Sequence, residues 1–73
     1  MPEIARRVLR FIVDREDESN LFSSYELLLC RCGSEVDDGI DYLLNKKLIN
    51  FHDEYHTYYA TTKGENALRR LAA

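Results

Sequence analysis

Residues 34–62 read SEVDDGIDYLLNKKLINFHDEYHTYYATT, and the reading of this stretch decides the fold. Its first part has helical spacing. Val36, Ile40, Leu43 and Leu44 share one stripe, while Glu35, Asp37, Asp38 and Asp41 lie off it. Ser34 reads as the N-cap, and the acidic residues that follow suit the positive end of the helix dipole. Lys46 and Lys47 stand at the other end, where cations are favoured. Gly39 weakens the helix by about 1 kcal/mol relative to Ala, and close helix packing is the preferred reason for it over close approach of a partner. Residues 48–52 and 56–60 then read as two strands, rich in aromatic and β-branched side chains. The link Asp53-Glu54-Tyr55 has three residues, and a loop of that length makes His52 and His56 cross-strand neighbours.

Working outward, residues 3–16 repeat at helical spacing, with Ile4, Val8, Phe11, Ile12 and Arg15 on one stripe and Ala5 and Leu9 widening it. Pro2 suits the first helical position. Arg6, Arg7, Arg10 and Asp14 point outward, and Glu3 to Arg7 is a favourable i,i+4 pair. Residues 17–20 form the first loop, after which Leu21 and Phe22 return to the core. Ser23, with Glu26 three residues on, offers a capping box for a second helix that runs to about Arg31 and buries Leu27, Leu28 and part of Leu29. Gly33 supplies a left-handed C-cap. Past the strands, Thr61 or Thr62 caps a last helix, with 62–65 fitting a capping box. Leu68 and Leu71 face inward there, and Glu65 pairs with Arg69.

The chain has 73 residues, enough for one domain, residues 1–73, with a marginal core that oligomerisation would support. Apolar content of 45% with 32% charged residues is that of a globular protein. No apolar run approaches the roughly 18 residues a membrane span needs, and no signal peptide is visible. Met1-Pro2-Glu3 reads as a cytosolic start, so the expected location is the cytoplasm. Cys30 and Cys32 are too close for an ordinary structural disulfide, which agrees with a reducing compartment.

Net charge is −3, and its distribution matters more than its sum. Arg6, Arg7, Arg10 and Arg15 are balanced within residues 1–17 by Glu3, Asp14, Glu16 and Asp17. Residues 34–47 set Glu35, Asp37, Asp38 and Asp41 against Lys46 and Lys47 alone. The last segment is basic, with Lys63, Arg69 and Arg70 against Glu65. Phosphate contacts require such basic groups, so Arg6, Arg7, Arg10, Lys63, Arg69 and Arg70 are the candidates.

The order helix, helix, helix, strand, turn, strand, helix gives an α+β, mostly helical chain that resembles the winged helix-turn-helix family. IDYLLNKKLINF at 40–51 and YYATTKGENALRRL at 58–71 carry the likeness. In this pattern a leucine-rich helix runs into Leu48-Ile49, the second strand ends at Tyr59, and Thr61, Lys63 and Gly64 open the next helix. The likeness is closest to small archaeal winged-helix proteins and looser to multidrug-response and PadR-like repressors. It implies a third helix that enters the DNA major groove and a wing that touches the minor groove or backbone. By position the helix face is Ser34, Glu35, Asp37, Asp38, Asp41, Tyr42 and Asn45. Within it Tyr42 and Asn45 could read bases or phosphates, and Lys46 could reach phosphate. The wing is His52, Asp53, Glu54, Tyr55 and His56. This sequence departs from the family in its carboxylates: four on the helix and two on the wing would face a polyanion. Only Gly33 and Ser34 separate Cys32 from the third helix, which implies a short or displaced second helix.

Two functions follow. One is a small transcription regulator binding double-stranded DNA as a homodimer, joined through the first and last helices by Val8, Ile12, Leu68 and Leu71. The other is a protein-interaction winged helix whose acidic third helix meets a basic partner. Cys30-x-Cys32 is similar to the metal-sensing motif of arsenic-type repressors but closes its helix instead of opening it. Residues two apart on a helix also point apart, so no metal site is assigned. No nucleophile–base spacing or phosphate loop is present, so neither an enzyme nor a cofactor is expected.

Overall fold

The first helix runs further than its apolar stripe, whose last buried residue is Val13. In the computed structural model, which describes residues 1–72, α1 spans Glu3–Ser19 and takes in most of the polar segment expected to be a loop. Asn20 ends it in the left-handed conformation, its backbone N–H donating to Glu16 O. Asn tolerates that conformation better than most residues, so the stop falls where local chemistry permits it. Pro2 sits one position earlier than expected, as the N-cap.

The remaining elements are β1 (Ser23–Ser24), α2 (Tyr25–Cys32), α3 (Val36–Asn45), β2 (Ile49–His52), β3 (Thr57–Ala60) and α4 (Thr62–Ala72). The architecture is thus α+β and mostly helical, with four helices and an antiparallel sheet in the order β1-β3-β2. No helix among the described residues is long and apolar enough to cross a membrane.

α1 is the centre of the packing. Its Ala5, Val8, Leu9 and Ile12 are fully buried, together with Leu28 of α2 and Val36 and Leu43 of α3. At Gly39 α3 lies close against α1: a Cβ there would lie 3.1 Å from the Ile4 carbonyl oxygen and from Val8 Cγ2. The glycine serves helix packing, and it is buried away from any partner.

The passage from α3 into β2 is set by hydrogen bonds. Leu48 N–H donates to Leu43 O at 2.8 Å and Lys47 N–H to Leu44 O at 3.1 Å, with Lys47 at φ 61°. That pairing closes the helix with a Schellman motif. It brings Leu48 and Ile49 into the core at once. Thr61 N–H then donates to Leu48 O, and the Thr61 hydroxyl donates to Lys47 O and accepts from Gly64 N–H. Thr61 is therefore the cap of α4, and the capping box placed at 62–65 is out of register by one residue. A side chain at Gly64 would fall onto the Leu48 carbonyl, so α4 sits directly against this junction.

Several local expectations need correction. The cap of α2 is Ser24, whose Oγ accepts from Leu27 N–H; both serines pair with β3, and the helix starts directly after Ser24. Ser34 does not cap α3. Glu35 holds that position without a side-chain hydrogen bond, and Val36 N–H is satisfied by Gly33 O. Gly33 does have positive φ, 86°, though its ψ of −171° is extended instead of helical, a combination essentially confined to glycine. The hairpin loop has four residues, 53–56, so His52 pairs with Thr57 and not with His56. Leu21, Phe22 and Leu71 are exposed, Leu29 likewise, and Leu27 is half-buried. Glu3 pairs with Arg6, at 3.2 Å, in place of Arg7.

Beyond the short β1, Glu16 completes the edge of the sheet: its Oε2 accepts from Ala60 N–H at 3.1 Å. Burial holds this carboxyl above its usual range, the Ala60 bond pulls it back down, and Glu65 and Asp17 add to the rise.

Candidate partner interface

The outer face of α3 is what the buried stripe leaves over. With Val36, Gly39, Ile40 and Leu43 turned to α1, the residues Asp37, Asp38, Asp41 and Asn45 are exposed, and Ser34 and Glu35 are exposed in the preceding turn. Tyr42 is half-buried, with the Lys46 ammonium 5.8 Å from its ring centre. The expected helix face is present as a continuous acidic surface. Among the described residues the ion pair within 4.0 Å is Arg6–Glu3, so no lysine or arginine neutralises the α3 carboxylates.

The sheet adds aromatic rings that the sequence reading did not assign to the site. Along β2 and β3, Ile49 and Ala60 share a face with Phe51 and Tyr58, which lie one pair further out. The Phe51 and Tyr58 rings are 4.9 Å apart. The Tyr58 phenol is raised above its usual range by burial and then by the charges of Asp37 and Asp41. Tyr25, at the start of α2, is raised chiefly through a hydrogen bond to Asp37, with burial and the Asp37 charge adding to it. Both tyrosines thus border the carboxylate row. Strand alternation carries the signal for Phe51 and Tyr58, since each lies two residues beyond a core position.

The opposite face of the hairpin holds a second aromatic group. Phe22 lies 6.4 Å from His52 and 5.9 Å from Tyr59, and His52 lies 4.7 Å from Tyr55. Phe22 leaves the core for this cluster, which accounts for its exposure. His56, at φ 53° in the turn, lies nearer Phe51, 6.2 Å between centres. The two histidines are therefore on different faces, and among the described residues no group of three or more His, Cys, Asp or Glu could hold a metal ion. Cys30 is exposed, and Cys32 is buried with its thiol pushed up by that burial.

The six basic candidates do not converge on α3. Arg6 is engaged with Glu3, and Arg7 and Arg10 line a groove with Arg31 of α2. Arg69 lies in a cleft between α4 and α1 with Asp14, Asp17 and Glu65, while Lys63 and Arg70 flank Leu48 on another side of α4. Arg31 escaped the sequence reading because it stands alone in the chain. The expected Glu65–Arg69 ion pair does not form within 4.0 Å among the described residues. Comparison of the chain with family models, curated proteins and solved structures finds no match.

Proposed function

We propose that this chain is a winged-helix module that binds a basic polypeptide through the acidic outer face of α3. The element order supports the winged-helix reading: a helix that feeds directly into a two-stranded hairpin, followed by a helix seated on that junction. The observation that carries the function is the row Glu35, Asp37, Asp38 and Asp41, exposed and, among the described residues, without a lysine or arginine within 4.0 Å, on the face this plan turns to a partner. Asp53 and Glu54 extend the same charge to the wing tip, also exposed. Against nucleic acid each carboxylate opposes phosphate; against a lysine- and arginine-rich surface each is favourable and steers encounter. Tyr25, Phe51 and Tyr58 beside the row supply ring faces for cationic side chains. The module is a binding protein, not an enzyme, and acts in the cytoplasm.

One observation favours a second reading, a DNA-binding regulator that works as a homodimer. Arg7, Arg10 and Arg31 are exposed together, and two copies would double that positive surface. Such a dimer cannot use Val8, Ile12 and Leu68 as its contact, because all three are spent in the core of the single chain; Leu71, 45% exposed, is what remains of that set.

Fluorescence anisotropy separates the readings, with an arginine- and lysine-rich peptide and with duplex DNA across a salt series. The expected result is peptide binding that weakens as salt rises, and no DNA binding at about 50 mM salt. Asp38→Lys with Asp41→Lys should abolish peptide binding. Salt-dependent DNA binding that this double change leaves intact, with no peptide binding, would transfer the assignment to the second reading.

A further inference from the structure

We propose that the groove between α1 and the end of α2 is an anion site for the phosphate of a small phosphorylated molecule. The groove has a volume of about 270 Å³ and is lined by Arg7, Arg10, Phe11, Asp14, Arg31 and Cys32. α1 presents Arg7, Arg10, Phe11 and Asp14 at spacings of three and four residues, which places them along one face. α2 brings Arg31 to the same hollow in its last turn. This assignment is independent of the acidic face of α3.

The charge balance favours an anion. Arg7, Arg10 and Arg31 are exposed, and among the described residues none has a carboxylate within 4.0 Å, whereas their neighbours Arg6 and Arg15 are engaged by Glu3 and by the Phe22 carbonyl. Asp14 opposes them with one charge and the C-terminal end of α2 with about half a unit, and Arg10 also borders the neighbouring cleft that holds Asp17 and Glu65. The groove stays positive, and gathering three guanidinium groups there carries a repulsion that a dianion removes. The planar fork of Arg matches phosphate oxygens two at a time, so two or three such groups hold one phosphate from several sides.

The walls are mixed in character. Phe11 is half-buried and gives an apolar side, with the Arg15 guanidinium 6.0 Å from its ring centre. Cys32 is buried, and its thiol, held up by burial and drawn partly back by Arg7, is neutral near pH 7 and does not repel an anion. At this volume the groove falls just below the range of about 300–1,000 Å³ that accepts drug-sized ligands. That space holds a phosphate with a few further heavy atoms, and on its outer side the groove is open to solvent.

The test titrates the full chain with inorganic pyrophosphate at low ionic strength and follows backbone amide chemical shifts. Three proteins are compared: wild type, Arg7→Gln with Arg31→Gln, and Arg69→Gln with Arg70→Gln. Both double variants lose the same charge, and only the first touches the groove. Shifts should concentrate at Arg7, Phe11, Arg31 and Cys32. The groove variant should lose about tenfold or more in affinity, against about twofold or less for the α4 variant. Equal losses, or shifts spread over all basic residues, overturn the proposal, because pyrophosphate would then report net charge alone. If the double groove variant does not fold, Arg31→Gln alone carries the test, since that side chain is exposed at a helix end, and it must weaken binding more than Arg70→Gln does. In a competition arm, duplex DNA that displaces pyrophosphate with a steep salt dependence would assign the groove to a nucleic-acid backbone and overturn the small-ligand reading.

Discussion

Along α3, Val36, Gly39, Ile40 and Leu43 face α1, and Asp37, Asp38, Asp41 and Asn45 face solvent. On the inner side a neighbour stands within 3.1 Å of where a single added carbon would go. On the outer side the carboxylates have no pairing cation among the described residues. One side is determined by shape, and little volume can be added or removed. The other is determined by charge, of which the fold uses only the Asp37 contact with Tyr25 and the favourable position of Asp37 and Asp38 at the start of the helix. Changes inside should therefore cost stability, and changes outside should alter binding.

The largest expected effect is on the inner side. Leu43 is fully buried at the contact of α3 with the core, so Leu43→Ala should destabilise the fold by about 2–5 kcal/mol in urea unfolding. A loss below about 1 kcal/mol would mean that this side is not close-packed, and the contrast would collapse.

Lys47 marks the boundary between the two sides. Its side chain is exposed, yet its backbone sits at φ 61° and closes the helix. Lys47→Gly should stabilise the protein by about 0.5–1 kcal/mol, because glycine takes that conformation without the Cβ clash. A destabilisation would show that the Lys47 side chain does more than the conformation suggests.

The inner side and the hairpin were legible in the sequence because their spacing is periodic. Val36, Ile40 and Leu43 repeat at helical intervals, and the strands stand out by composition. β1 was not legible. It consists of Ser23 and Ser24, which carry no strand preference and become a strand only because β3 has a free edge beside them. The α2 cap is Ser24, the residue directly before the helix, and not Ser23. Thr61 won over Thr62 because its hydroxyl can bridge Lys47 O and Gly64 N–H at once, a contact spanning 14 residues on one side. Of the site, the acidic row could be read from α3 alone. Tyr25 and Arg31 could not, since each joins its neighbours only through the fold.

On the outer side, Asp38→Lys with Asp41→Lys should change stability by less than about 1 kcal/mol. Placing lysine in the first turn sacrifices a favourable dipole contact of about 0.3–1 kcal/mol. Removing the like-charge pair Asp37–Asp41 at i,i+4 recovers about 0.2–0.5 kcal/mol. Thermal unfolding measures the remainder. A loss as large as that of Leu43→Ala would show that the acidic row is structural after all.

The smallest effect is the most local, and it asks how far the outer charge reaches. Asp37 raises the Tyr25 phenol chiefly by hydrogen bonding, and it raises Tyr58 by charge after burial has done so. A phenol raised by its folded surroundings stabilises the fold fully below about pH 10, its ordinary value. That contribution is lost as pH rises through the raised value. Asp37→Asn should therefore bring the ionisation of Tyr25 down most and that of Tyr58 down less, while the burial-driven part of the Tyr58 rise persists. Absorbance titration above pH 9, with Tyr25→Phe and Tyr58→Phe to assign the transitions, reads both. Equal movement of the two phenols would place Asp37 in no closer contact with Tyr25 than with Tyr58. The carboxylate row would then act on its aromatic border as a diffuse field, and a partner would meet charge there without a defined hydrogen-bonding edge.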